Sequence, residues 1–210
     1  MRSFPTHIAA AAAAFVLGTP LLASAQLSTP APAPHFAFEV RAQNFSGLTD
    51  FVALADGRIL IAQQDGVVRA FAPDGSPEGA VLDLRDEVSA FIERGLLAIT
   101  THPGFVADGG ETSWLYLYYC AGPDKANGED FEPSLGRLAR HRIETVSVGG
   151  APRLVGVAGS QQILLGERLP DGTAPTAIPL LHESHIGGGL VFGEDGTLLL
   201  STGDGASFAQ

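Results

Sequence analysis

Apolar residues in this chain fall in short runs broken by turn-forming residues, and the long three-to-four periodicity of an amphipathic helix is missing. The clearest runs are Arg58 to Gln63, Val67 to Phe71, Gly95 to Thr100, Leu115 to Tyr119, Arg137 to Ile143, Gln162 to Leu165, Leu190 to Phe192 and Thr197 to Thr202. Each has the length of a strand, so the predicted class is all-β. Asp65-Gly66 and Asp195-Gly196 sit between such runs, and Asp56-Gly57 precedes another. These pairs accept the positive φ angles that a tight hairpin turn requires.

The pattern also repeats. Val52 to Ile61 is similar to Val191 to Leu200, with the Asp-Gly pair in the same place 139 residues further on. A recurring strand-turn-strand unit is the mark of repeat folds, and this spacing would hold about three blades of roughly 40 to 50 residues. On spacing alone, a propeller and a β-sandwich stand level.

The N-terminus changes the picture. Met1-Arg2 leads into an alanine-rich apolar stretch from Ile8 to Leu22 and then Ala23-Ser24-Ala25, which together read as a signal peptide over residues 1–25. Pro20 interrupts the run, which is shorter than the roughly 20 residues a spanning helix needs. An exported protein, periplasmic or secreted, with no membrane insertion after cleavage is therefore expected. Residues 26–35 alternate Pro30, Pro32 and Pro34 with small residues and read as an extended linker. Residues 36–210 are left as the folded domain, long enough for a real core.

Twelve basic against 23 acidic residues give a net charge of -11, which excludes a nucleic-acid partner, since that binding draws on clustered Lys and Arg. The lone cysteine, Cys120, rules out an intrachain disulfide. Its place after Trp114-Leu115-Tyr116-Leu117-Tyr118-Tyr119 marks a buried strand end rather than a reactive thiol.

Three stretches carry chemistry. They are Glu93-Arg94-Gly95-Leu96-Leu97 running on to His102-Pro103-Gly104-Phe105; the strands Leu115 to Tyr119 and Leu138 to Ile143; and His185-Ile186-Gly187-Gly188-Gly189-Leu190-Val191-Phe192-Gly193-Glu194-Asp195-Gly196, ending in Ser201-Thr202-Gly203-Asp204. In this order they resemble the soluble glucose/sorbosone dehydrogenase family, six-bladed β-propellers that use pyrroloquinoline quinone (PQQ). The resemblance implies the N-terminal part of such a propeller, about two to three blades. It also implies oxidation of a sugar C1 hydroxyl by hydride transfer to the quinone, with PQQ and calcium as cofactors. The partners implied are a small sugar and an electron acceptor; oligomeric state is not implied.

On the same resemblance His185 is the catalytic general base, a role that suits imidazole because it titrates near neutral pH. Glu93 stands where the family places a polar residue near the substrate, often glutamine, and Asp204 matches a strand-end aspartate near the site. The residues alone allow plainer readings: a structural histidine beside a glycine turn, a solvated loop carboxylate, and an aspartate capping the next turn. Gly187-Gly188-Gly189 would let a ligand approach the backbone closely. His102 before Pro103 also matches, and reads as a packing turn. His182, Glu183 and His185 fit no zinc spacing, so no metal ligand is assigned.

A tricarboxylate quinone demands Arg and Lys partners. The resemblance puts these, and the calcium ligands, mainly beyond Gln210, so no cofactor-binding residue is assigned either. The 210 residues are expected to be a fragment of the enzyme, inactive alone. Two other functions stay open: a propeller that kept the scaffold as a binding module without the chemistry, and a lactonase-type hydrolase built on a ring of Asn, Asp and Glu ligands.

Overall fold

The structure is a computed structural model that describes residues 37–122, 134–180 and 182–205. The signal-peptide and linker segments lie outside the described residues. The chain divides into units Met1–Glu39 and Val40–Gln210, and every strand among the described residues belongs to the second. No helix among the described residues is long and apolar enough to cross a membrane.

Four strands, β1 (Leu48–Ala53), β2 (Ile59–Gln63), β3 (Val67–Phe71) and β4 (Pro77–Asp83), form an antiparallel meander in sequence order. A second sheet follows from β5 (Leu96–Thr101), β6 (Trp114–Ala121) and the long β7 (Ser134–Val148). β7 pairs with β6 and also takes β8 (Ala151–Gly156), β9 (Gln162–Leu165) and β10 (Ile178–Leu180). A third sheet consists of the hairpin β11 (Gly188–Phe192) and β12 (Leu198–Thr202). The first strands of the three sheets are neighbours, with β5 packed against both β1 and β11. That is two blades and the opening hairpin of a third.

The repeat read from the sequence is a repeat of structure. Val52 pairs with Leu60 and Ala53 with Ile59; 139 residues on, Val191 pairs with Leu199 and Phe192 with Leu198. Their turns close identically. Leu54 N–H donates to Arg58 O at 2.8 Å and Gly57 N–H to Leu54 O at 3.0 Å, while Gly193 N–H donates to Thr197 O at 2.8 Å and Gly196 N–H to Gly193 O at 3.0 Å.

Strand β6 decides between propeller and sandwich. All eight of its residues are buried. Leu115, Leu117, Tyr119 and Ala121 join the core shared with the first sheet, whereas Trp114, Tyr116, Tyr118 and Cys120 join the core shared with β11. A sandwich sheet buries one face and wets the other; here the middle sheet is covered on both, as a blade between blades must be. Polar pins hold it in place: the Tyr119 hydroxyl donates to Glu87 Oε2 at 2.8 Å, and Gln161 Nε2 donates to the same oxygen at 2.9 Å. Burial first, and Glu87 second, push the Tyr119 phenol well above its ordinary range.

His141 on β7 is another buried polar group, 7% exposed, with its Nε2 unpartnered. Burial holds its pKa below the usual 6.5, with Glu87 pulling the other way. The folded state thus binds this proton less readily than the unfolded chain. Stability is full above about pH 6.5 and falls as pH drops from there toward the folded value, by at most about 1.4 kcal/mol per pH unit. The expected result is an unfolding midpoint that declines between about pH 7 and pH 5.5. His141→Leu should flatten that decline, and an unchanged slope in the variant would remove His141 as its source.

Candidate functional site

The three sheets bring together loops that lie far apart in sequence. Glu93 precedes β5, His185 precedes β11, and Asp204 follows β12, whose end lies beside the start of β11 because Thr202 pairs with Gly188. The backbone N–H of His185 donates to Glu93 Oε2 at 2.5 Å, and Glu93 N–H donates to Glu183 O at 3.2 Å. This double clasp ties the second blade to the third. Asp204 Oδ1 lies 3.2 Å from His185 Nδ1. Glu93 from one stretch and His185 and Asp204 from another therefore meet in one cluster.

The alternation of burial explains why His185 stands out of the core. Ser184 and Ile186 on either side are buried, Ile186 completely, and the imidazole between them is 45% exposed. Its backbone is left-handed, φ 56°, a conformation histidine tolerates better than most residues. The strand end after β12 wraps this peptide. Gly205 N–H donates to His185 O at 3.0 Å, and a Cβ on Gly203 would stand 1.9 Å from the same oxygen. Only glycine fits at 203, and that close approach delivers Asp204 to the ring.

An ionised carboxylate can only accept hydrogen bonds. A ring hydrogen on Nδ1 would donate to Asp204 and leave the lone pair on Nε2. Both partners are well exposed, so the pair orients the ring more than it stabilises the fold; exposed pairs contribute about 0–1 kcal/mol.

The loop bearing Glu93 is held from the first blade. Gln64 Nε2 donates to Ile92 O at 2.6 Å and to Arg94 O at 2.9 Å, and Leu96 N–H donates back to Gln64 O at 3.0 Å. Ile92 is left-handed as well, φ 54°, which for a β-branched residue costs about 1–3 kcal/mol. Sequence reasoning missed Gln64, Ile92 and Gly203. A glutamine outside any motif carries no signal, and a left-handed isoleucine runs against propensity. Gly203 could have been found, since it separates the β12 run from the chosen Asp204.

The glycine run resolves into different roles. A Cβ on Gly188 would meet Ser201 O at 2.5 Å and Tyr118 Cε1 at 2.9 Å, so the protein's own packing requires that glycine, while Gly187 has nothing within 4 Å. His102 packs: its Nδ1 accepts from Gly104 N–H at 3.1 Å, and its ring meets Phe192 edge to face at 6.2 Å. Among the described residues no group of three or more His, Cys, Asp or Glu side chains is placed to hold a metal ion. The cluster also does not fit a tricarboxylate quinone. Two of its three side chains are carboxylates, whereas such an anion calls for charge-assisted Arg and Lys donors.

No family model matches the chain. The curated Hedgehog-interacting protein of Mus musculus is 27% identical over 153 residues, which cover 70% of this chain and 19% of that protein. Among solved structures, the PQQ-bound form of aldose sugar dehydrogenase from Streptomyces coelicolor is similar at a TM-score of 0.51 with 18% identity, over 80% of this chain and 41% of that one. An oxidoreductase (glucose dehydrogenase) from Thermus thermophilus reaches a TM-score of 0.45 with 25% identity, over 75% of this chain and 37% of that one. The Streptomyces likeness carries the fold alone: the chain is a partial β-propeller. The chain spans about a fifth of the curated relative and about two fifths of these solved structures.

Proposed function

We propose that the complete protein is an exported PQQ-dependent aldose dehydrogenase of the glucose/sorbosone type, in which this chain supplies the proton-accepting side of the site. The observation that carries the reading is the convergence of Glu93 from one stretch with His185 and Asp204 from another, with Glu93 Oε2 accepting from His185 N–H and Asp204 Oδ1 at 3.2 Å from His185 Nδ1. His185 Nε2 takes the proton of the sugar's C1 hydroxyl as general base. Asp204 holds the imidazole in the required tautomer and offsets the charge it acquires. Glu93 fixes the backbone from which the ring projects, and its carboxylate adds an acceptor for sugar hydroxyls. PQQ, with calcium, is the electron acceptor in this reading, its carboxylates held by residues outside the His185 cluster.

The test is aldose-dependent dye reduction by the complete protein supplied with PQQ and calcium. Turnover that requires both additions is expected. A second reading, a propeller that binds another protein without catalysis, draws support from the relative whose name describes an interaction with Hedgehog. Calorimetry separates the two: failure of PQQ to bind the complete protein, together with no dye reduction, would favour the binding module.

A further inference from the structure

Ile92 combines two properties. Its backbone is left-handed, φ 54°, where a β-branched side chain is strained. Its side chain is also 58% exposed, so the strain is not offset by burial. Glycine would remove both disadvantages at once. The residue is nevertheless held firmly: the Gln64 amide fixes its carbonyl at 2.6 Å, and the next residue, Glu93, is clasped to the His185 backbone at 2.5 Å. A rigidly presented, exposed aliphatic group thus stands one residue from the carboxylate that meets His185. Strained residues kept in place by a surrounding hydrogen-bond frame concentrate at ligand sites.

The chemistry of the cluster that adjoins Ile92 through Glu93 selects an occupant. Glu93 and Asp204 offer carboxylate oxygens that accept from hydroxyls, the imidazole accepts a proton, and Ile92 adds an apolar surface. A pyranose matches this set, with hydroxyls around its edge and C–H groups on its faces. We propose that Ile92 is a specificity-determining residue that packs against the apolar face of the pyranose held at His185, an inference that rests on the dehydrogenase reading above.

The test compares wild type, Ile92→Gly and Ile92→Val in the complete protein with PQQ and calcium, using D-glucose as the substrate and recording melting temperature alongside. Removing the side chain is expected to raise KM about tenfold, with kcat kept within about twofold and the melting temperature equal or higher because strain is relieved. Ile92→Val, which keeps a branched apolar group, should lie near wild type. An Ile92→Gly variant with unchanged KM, or with kcat lost at constant KM, overturns the proposal while leaving the dehydrogenase reading in place. A wild-type protein that turns over no aldose overturns both.

Discussion

Replacing His185 in the complete protein should abolish aldose-dependent dye reduction, by about a thousandfold or more in kcat, the middle of the range for a positioned general base, while PQQ binding measured by calorimetry stays close to wild type. The choice of replacement matters. His185 is left-handed with φ 56°, and alanine tolerates that region poorly, so His185→Ala mixes loss of the base with a backbone change. Asparagine visits the left-handed region more readily, so His185→Asn removes the base with less disturbance to the clasp from Glu93 and to the Gly205 hydrogen bond. Loss of turnover in both variants, with melting temperature preserved in the asparagine variant, is the expected result. Turnover within about tenfold of wild type in His185→Asn would place the base elsewhere.

The second large effect is expected from a residue with no side chain. A methyl group on Gly203 would lie 1.9 Å from His185 O and 2.6 Å from the carbonyl carbon, and both are backbone atoms that cannot rotate away. Gly203→Ala must therefore push the His185 peptide and the strand end apart. Overpacking of this kind costs about 1–3 kcal/mol. The displacement also separates Asp204 from Nδ1, and a shift of about 1 Å at a reacting group can cost about a hundredfold in rate. The variant should keep most of its stability and lose about two orders of magnitude in kcat/KM. Wild-type kinetics in Gly203→Ala would mean that the Asp204–His185 geometry is not needed for turnover.

Much of the fold was legible because its central strands announce themselves. β2, β3 and β6 are nearly uninterrupted apolar runs, as is Leu190 to Phe192 of β11, and the Asp-Gly turns that follow β1, β2 and β11 mark hairpins, of which β1–β2 and β11–β12 share their register. The strands that escaped notice, β4, β8 and β10, lie at sheet edges and carry Pro77, Pro152 and Pro179. An edge strand bonds on one side only, so it tolerates proline and needs little hydrophobic signal. β1 is an edge strand too, and its Thr49 and Asp50 break the apolar run, although its last residues had entered the repeat. At the candidate site the side chains of Glu93, His185 and Asp204 could be chosen from motifs. What fixes them could not: Gln64 acts across blades through backbone carbonyls, and nothing local in sequence encodes a partner 28 residues away.

The two-sided burial of β6 also sets what evolution can do to this strand. Substitutions that conserve volume leave each row facing its own neighbour. An insertion or deletion of one residue between Trp114 and Ala121 would instead rotate every following side chain to the opposite face, turning the tyrosines that pack toward the third blade onto the first, and the leucines and Tyr119 the other way. Two cores would be misfilled by a single event. The length of β6 should therefore be far less free to vary than its composition.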